Sequence, residues 1–297
     1  METLLLKGKP VSDSIRFSLE KRVQALIETG IVPKLAAIIV GDDPASKVYV
    51  RNKARAFRKL SCESQTYRLD SKSSEEDVLT LIDRLNNDPL VHGILVQLPL
   101  PSHLDSKTIL HTVSPNKDVD GFHPENLGLL LEGNPNFIPC TPHGVLEILR
   151  HYDIPVSGRH AVIVGRSNIV GKPMFALLAQ KFEMGNATVT ICHTGTKDLA
   201  AYTKQGDIII AAAGSPNMIT GDMIKEGADI IDVGINRVDD DSEKGYKLLG
   251  DVNTESVMGI ANSVTPVPGG VGPMTITMLL VNTVKSAEKC VELVAGW

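Results

Sequence analysis

A chain of 297 residues is longer than one compact core usually supports, so two domains of roughly 150 residues each are expected. Its 42% hydrophobic and 22% charged residues suit a soluble globular enzyme, and a net charge of −5 leaves no footprint for nucleic acid. The apolar run in METLLLKGKP is too short for a signal peptide, no stretch reads as a membrane span, and Cys62, Cys140, Cys192 and Cys290 lack zinc-site or disulfide spacing; a cytoplasmic chain with reduced thiols and no metal is expected.

In chain order, SDSIRFSLEKRVQALIETG reads as a charged amphipathic helix, KLAAIIV as a buried strand, GDDPAS as a turn and SKVYVRNKARAFRKL as the next helix. SQTYRL is a strand, and Ser73 with Glu76 forms a capping box ahead of the helix VLTLIDRLNN. VHGILVQL is a strongly apolar strand ending at PLPSHLD, and SPNKDVDGFHPEN is loop. Thr141 as N-cap and Pro142 at the first position start the helix HGVLEILRHY, which marks the domain crossing. HAVIV, a glycine turn, a helix, ATVTIC, DIIIAAAG, ADIIDVGIN and LLGDV then repeat the alternation, and such alternation predicts parallel sheets flanked by helices. TPVPGGVGPMT is too rich in Pro and Gly to be an element, and the long apolar helix after it is expected to return to the first domain.

Four groups of residues carry chemistry. The run HAVIVGRSNIVGKPM is a strand, a glycine turn and a helix with Pro173 in its first turn, a phosphate-cradling arrangement. Its G-x-S-x-x-x-G spacing is not the usual dinucleotide fingerprint, so an ordinary strand-to-helix turn stays open as a reading. Tyr49 and Lys53, four apart, share one helix face, which reads as either a site or a solvated surface. Gln97 stands at the carboxyl end of an apolar strand, where open α/β sheets place ligands. Asp118 and Asp120 in KDVDG read as ligand-binding carboxylates or as Asx-type turn residues.

Taken together, YVRNK, GILVQLPLP, KDVDGFHPENLG, PCTPHG, VGRSNIVGKPM and TPVPGGVGPMT make the chain resemble the bifunctional methylenetetrahydrofolate dehydrogenase/cyclohydrolase family over almost its whole length. The resemblance implies two α/β domains: residues 1–140, completed by 275–297, binding folate, and a Rossmann-like domain, 141–274, binding NADP. Folate and nicotinamide would meet in the cleft between them, in a homodimer joined through the cofactor domain. It implies oxidation of 5,10-methylenetetrahydrofolate, then hydrolysis of the methenyl product to 10-formyltetrahydrofolate. Lys53 matches the family's catalytic lysine, Gln97 its partner, Tyr49 the aromatic that stacks on folate and Asp120 the carboxylate that reads the pterin. Leu98, Pro268 and Gly269 would line the substrate, and Gly165, Arg166, Ser167, Gly171, Thr194 and Ile235 the cofactor.

The chain departs from the family pattern at CHTGTKDL, where Thr194 and Gly195 replace a serine and an often basic residue, and at Asn253, which replaces an acid after GDV. No acid follows ATVTIC until Asp198, whereas sheets that choose NAD usually place one there; NADP is therefore expected, with Arg166 and Thr194 as its 2′-phosphate contacts. The competing readings are a monofunctional dehydrogenase and a non-catalytic dinucleotide-binding regulator.

Overall fold

The computed structural model describes residues 2–241 and 245–295. Its strands are β1 (Leu4–Leu5), β2 (Lys34–Val40), β3 (Glu63–Leu69), β4 (Gly93–Val96), β5 (His160–Val164), β6 (Thr188–Cys192), β7 (Ile208–Ala211), β8 (Asp229–Asp232), β9 (Asn236–Asp239), β10 (Tyr246–Leu249) and β11 (Ser263–Val264). They fall into two compact units, one of Ser14–Cys140 with Ile276–Trp297, the other of Met1–Asp13 with Thr141–Thr275. The expected boundary, which kept residues 1–140 together, is corrected at its start. Leu4 N donates to Asn262 O at 2.9 Å and Leu6 N to Val264 O at 2.9 Å, so β1 pairs in parallel with β11. Thr3 Oγ1 adds a bond of 2.8 Å to Ala261 O, and Leu6 is fully buried.

The first unit is built on a parallel sheet of order β3-β2-β4. Six of the seven residues of β2 are buried, as a central strand covered on both faces requires. Helix Glu75–Asn87 presents Val78, Ile82 and Leu85 to Ala36, Ile38, Ile94 and Val96, and full burial of each such aliphatic side chain stabilises the unit by roughly 1.5 to 3 kcal/mol. Its capping box lies one residue later than expected: Ser74 Oγ accepts Asp77 N at 3.2 Å and Asp77 Oδ2 accepts Ser74 N at 2.8 Å. From β2 the chain goes to β3 on one side and returns to β4 on the other. The carboxyl ends of β2 and β4 therefore flank a switch-point crevice.

The second unit carries a six-stranded parallel sheet of order β1-β11-β8-β7-β5-β6. Direction reverses at β5, which β6 and β7 flank, so the turn after β5 opens at the equivalent crevice. Helix Gly171–Ala179 follows and buries Met174, Leu177 and Leu178. Two expectations are corrected here. LLGDV does not extend the sheet, because Tyr246–Leu249 pairs antiparallel with Asn236–Asp239 as a separate hairpin. The helix expected to be capped by Thr141 already includes that residue, running over Cys140–His151.

Candidate active site

In the first unit, helix Pro44–Lys59 starts just past the carboxyl end of β2, with the Asp43 carboxylate accepting Ser46 N at 2.7 Å. The helix buries Val50, Phe57 and also Lys53, which is only 7% exposed, whereas Tyr49 one turn earlier is 41% exposed. Burying a lysine is unfavourable unless its donors are met. Lys53 Nζ donates to Gln97 Oε1 at 3.2 Å. Gln97 is itself held twice: its backbone N–H donates to Ile38 O at 2.9 Å, and its Nε2 to Leu98 O at 2.7 Å. The second bond fixes which end of the amide is the acceptor. Lys53 is thus oriented by a neutral oxygen and not locked into an ion pair with Gln97.

The KDVDG segment lies against β4, since Ile94 N donates to Lys117 O at 2.7 Å and Ile94 bridges to Asp118. Its two carboxylates do different things. Asp118 is buried and structural, its Oδ2 accepting His123 N at 2.7 Å and Asn126 Nδ2 at 2.8 Å. Asp120 is half-buried; burial pushes its carboxyl above the usual range, the Lys53 charge draws it back and the Asp118 charge adds to the rise. The Cys140 thiol, kept protonated mainly by burial, donates to Val119 O at 3.3 Å, and its proximity to Asp120 also draws that carboxyl back. Gly121 then turns the chain at φ +75°, where a Cβ would stand 2.9 Å from Pro139 N. Asn282 fastens this turn from the C-terminal helix, its Nδ2 donating to Val119 O at 2.8 Å and to Ile138 O at 2.9 Å.

In the second unit, Gly165 ends β5 at φ +134°, and a Cβ there would lie 2.1 Å from Ala212 O. A Cβ on Gly171 would lie 2.2 Å from Gly165 O, so the turn can fold tightly only with glycine at both places. Ser167 Oγ accepts Val170 N at 3.1 Å, and Arg166 is exposed beside it. This glycine turn into a helix N-terminus fits a pyrophosphate. Beyond β6 lies a cavity of about 660 Å³ lined by His193, Gly195, Thr196, Lys197, Asp198 and Tyr202. Asp198 serves there as a helix cap, accepting Ala201 N at 3.1 Å. Asn253 does the same for Thr254–Val257, accepting Ser256 N at 3.1 Å, a task an acid would do equally well.

Family profiles described as the tetrahydrofolate dehydrogenase/cyclohydrolase catalytic domain and NAD(P)-binding domain match residues 6–120 and 139–291. The chain belongs to this family. It is 54% identical to a bifunctional protein FolD of Chlorobium limicola over 98% of its own length and 99% of the relative's. A crystal structure of the bifunctional FolD of Campylobacter jejuni superposes with a TM-score of 0.91 at 50% identity, over 97% of this chain and 99% of that one. The Trypanosoma brucei FolD structure, complexed with NADP cofactor and inhibitor, gives a TM-score of 0.92 at 37% identity, over 98% and 99% of the two chains.

Within this family chain, the structure brings together Lys53 and Gln97, with Tyr49 one turn from Lys53, Leu98 beside Gln97 and Asp120 within the field of Lys53. Gly165, Arg166, Ser167, Gly171, Thr194 and Ile235 lie in the other unit, as do Pro268 and Gly269. Arg166, Thr194, Ile235, Pro268 and Gly269 are all exposed. Two further residues shape the site, Cys140 and Asn282: Cys140 lies inside the PCTPHG motif, whereas nothing in the sequence singles out Asn282 inside an apolar helix.

Proposed function

We propose that the chain oxidises 5,10-methylenetetrahydrofolate with NADP and hydrolyses the methenyl product to 10-formyltetrahydrofolate. The observation that carries the hydrolytic half is the buried Lys53 amine held by Gln97 Oε1 at 3.2 Å. A chain kept only for binding would have no use for an amine buried this way, and a chain that only dehydrogenates would not need its proton chemistry. NADP, when bound, takes the hydride from the bridging carbon. The chain's own residues position and protonate. The exposed face of Tyr49 offers a ring on which the folate can stack, and Asp120 accepts the paired N–H groups of an aminopterin. In the second step water adds to the methenyl carbon, whose bond to N5 breaks and leaves the formyl group on N10. Lys53 takes one proton from the attacking water and returns it to N5, Gln97 holding its nitrogen in place, and the remaining hydroxyl proton leaves to solvent as the formyl C=O forms. Absorbance assays for methenyl formation and for its decay, run with NADP and with NAD, test both halves.

Asp120 is assigned to binding and not to proton transfer. Asp120→Ala is expected to weaken folate affinity by about 2 to 5 kcal/mol, as for loss of one partner of a buried charged hydrogen bond. Affinity within twofold of wild type would remove Asp120 from the pterin contact.

For the cofactor, the end of β6 offers hydroxyls and a cation, its one carboxylate occupied as a cap. That composition suits a 2′-phosphate better than a ribose diol, and Arg166 and Thr194 are proposed as its contacts. Wild type should have the higher kcat/KM with NADP, and Arg166→Ala should lower that value while leaving use of NAD nearly unchanged. Equal or better use of NAD by the wild type overturns the assignment. We further take the chain to act in the cytoplasm as a homodimer through this unit, where β6 is an outer strand with one edge open among the described residues.

A further inference from the structure

A second cavity, of about 520 Å³, lies within the unit of Ser14–Cys140 and Ile276–Trp297, lined by Val91, His92, Asn116, Lys117, Lys289 and Cys290 among others. No residue assigned above to folate or NADP lines it. Cys62, Cys140 and Cys192 are buried, whereas Cys290 is half-buried, so this is the thiol that a solute can meet. Its Sγ rests 3.4 Å from Ser286 O.

The groups around that thiol are donors. Lys117 Nζ donates to Leu85 O at 3.0 Å and Asp88 O at 2.6 Å, and Lys289 Nζ to Asn136 Oδ1. An ammonium has three hydrogens, so each of these cavity-lining lysines keeps at least one that these bonds do not use. His92, 5% exposed, accepts Lys34 N at 3.1 Å through Nδ1. Its neutral ring therefore carries hydrogen on Nε2, and that N–H has no hydrogen-bond partner among the described residues. Burial and the Lys117 charge hold the ring below its ordinary pKa and so keep it neutral, against the opposing charge of Asp88. Asp88 is itself engaged, accepting Leu90 N at 2.9 Å.

We propose that Cys290 is a modification site for a small disulfide bearing carboxylates, which the two lysines and the His92 N–H draw in and orient. The thiol loses its proton to water and its sulfur attacks one sulfur of the incoming disulfide. The old S–S bond breaks, a new one joins Cys290 to one half, and the other half leaves as a thiolate. The protein thiol is oxidised and the departing half reduced. The ammonium groups of Lys117 and Lys289 hold the carboxylates of the incoming disulfide.

The test treats the intact chain with dianionic 5,5′-dithiobis(2-nitrobenzoate) and with uncharged 4,4′-dithiodipyridine, each rate divided by that of free cysteine. Labelling is expected at Cys290, abolished by Cys290→Ser, with the dianion favoured about tenfold, the low end of local electrostatic concentration effects. Lys289→Gln should reduce the dianion's rate and spare the uncharged reagent's. Wild type in about 0.5 M salt, where screening shortens to a few ångströms, should lose the preference without any substitution. Labelling at another cysteine, equal normalised rates for the two reagents, or a preference untouched by salt would overturn the proposal.

Discussion

Lys53→Met is expected to reduce hydrolysis of methenyltetrahydrofolate by about 10² to 10⁴-fold, the range that general acid–base help usually supplies. The substitution keeps an unbranched side chain in a site only 7% exposed, so packing on the helix is largely preserved while the amine nitrogen is lost. The dehydrogenase step should suffer less, since it depends on positioning and not on proton transfer at Lys53. Gln97→Ala leaves the amine in place but removes its 3.2 Å acceptor, and a smaller loss is expected. Following decay of methenyl absorbance separately from cofactor reduction distinguishes the two steps. Wild-type hydrolysis by Lys53→Met would show that the amine is a buried structural group.

The largest effect expected on stability is at Asp251, fully buried in the second unit. Its Oδ2 accepts Ala213 N at 2.6 Å and Gly214 N at 2.9 Å, and its Oδ1 accepts Ser215 N and Asn236 Nδ2, both at 2.9 Å. Four donors converge on one carboxylate. In Asp251→Asn, whichever way the amide turns, its NH₂ faces two donors that have lost their acceptor. These donors are part-buried, so leaving two of them unmet costs about 2 kcal/mol. For a unit of this size, that corresponds to a melting temperature lower by roughly 4 to 8 °C. Calorimetry of wild type and variant checks it, and a shift under about 2 °C would mean the loop at 213–215 finds other acceptors. Because that loop follows β7, beside the turn after β5, weaker NADP binding should accompany the loss.

Apolar strands were readable wherever both faces are covered: after Lys34 and His160, LAAIIV and AVIV are uninterrupted β-branched or aliphatic runs, and both became central strands. Lys53 and Gln97 were readable because each sits at a fixed offset from such a strand, one on the helix after β2 and one just past β4. The hairpin at 236–249 was not, since NRVD and YKLL mix exposed and partly buried residues as any short surface strand does. Nor was the role of Leu4–Leu5: two residues carry no periodicity, and only the pairing partner at Ser263–Val264 makes them a strand. Asn282 illustrates the same limit in the site itself. Its amide matters for the carbonyls of Val119 and Ile138, which are distant in the chain and invisible to local pattern.

The pairing of β1 with β11 also constrains how this chain can be made. During synthesis Leu4 and Leu5 leave the ribosome well before their partner, which emerges only after some 260 residues more have been added. The other unit waits as well, for the helix that carries Asn282. Neither unit can complete itself while the middle of the chain is being translated. A gene cut after codon 140 would give two products, one without its closing helix and the other with β11 left as an unpaired sheet edge. Because segments of the two units alternate along the chain, no single cut sorts them into separate products, and joining the termini in a circular permutation keeps the same alternation.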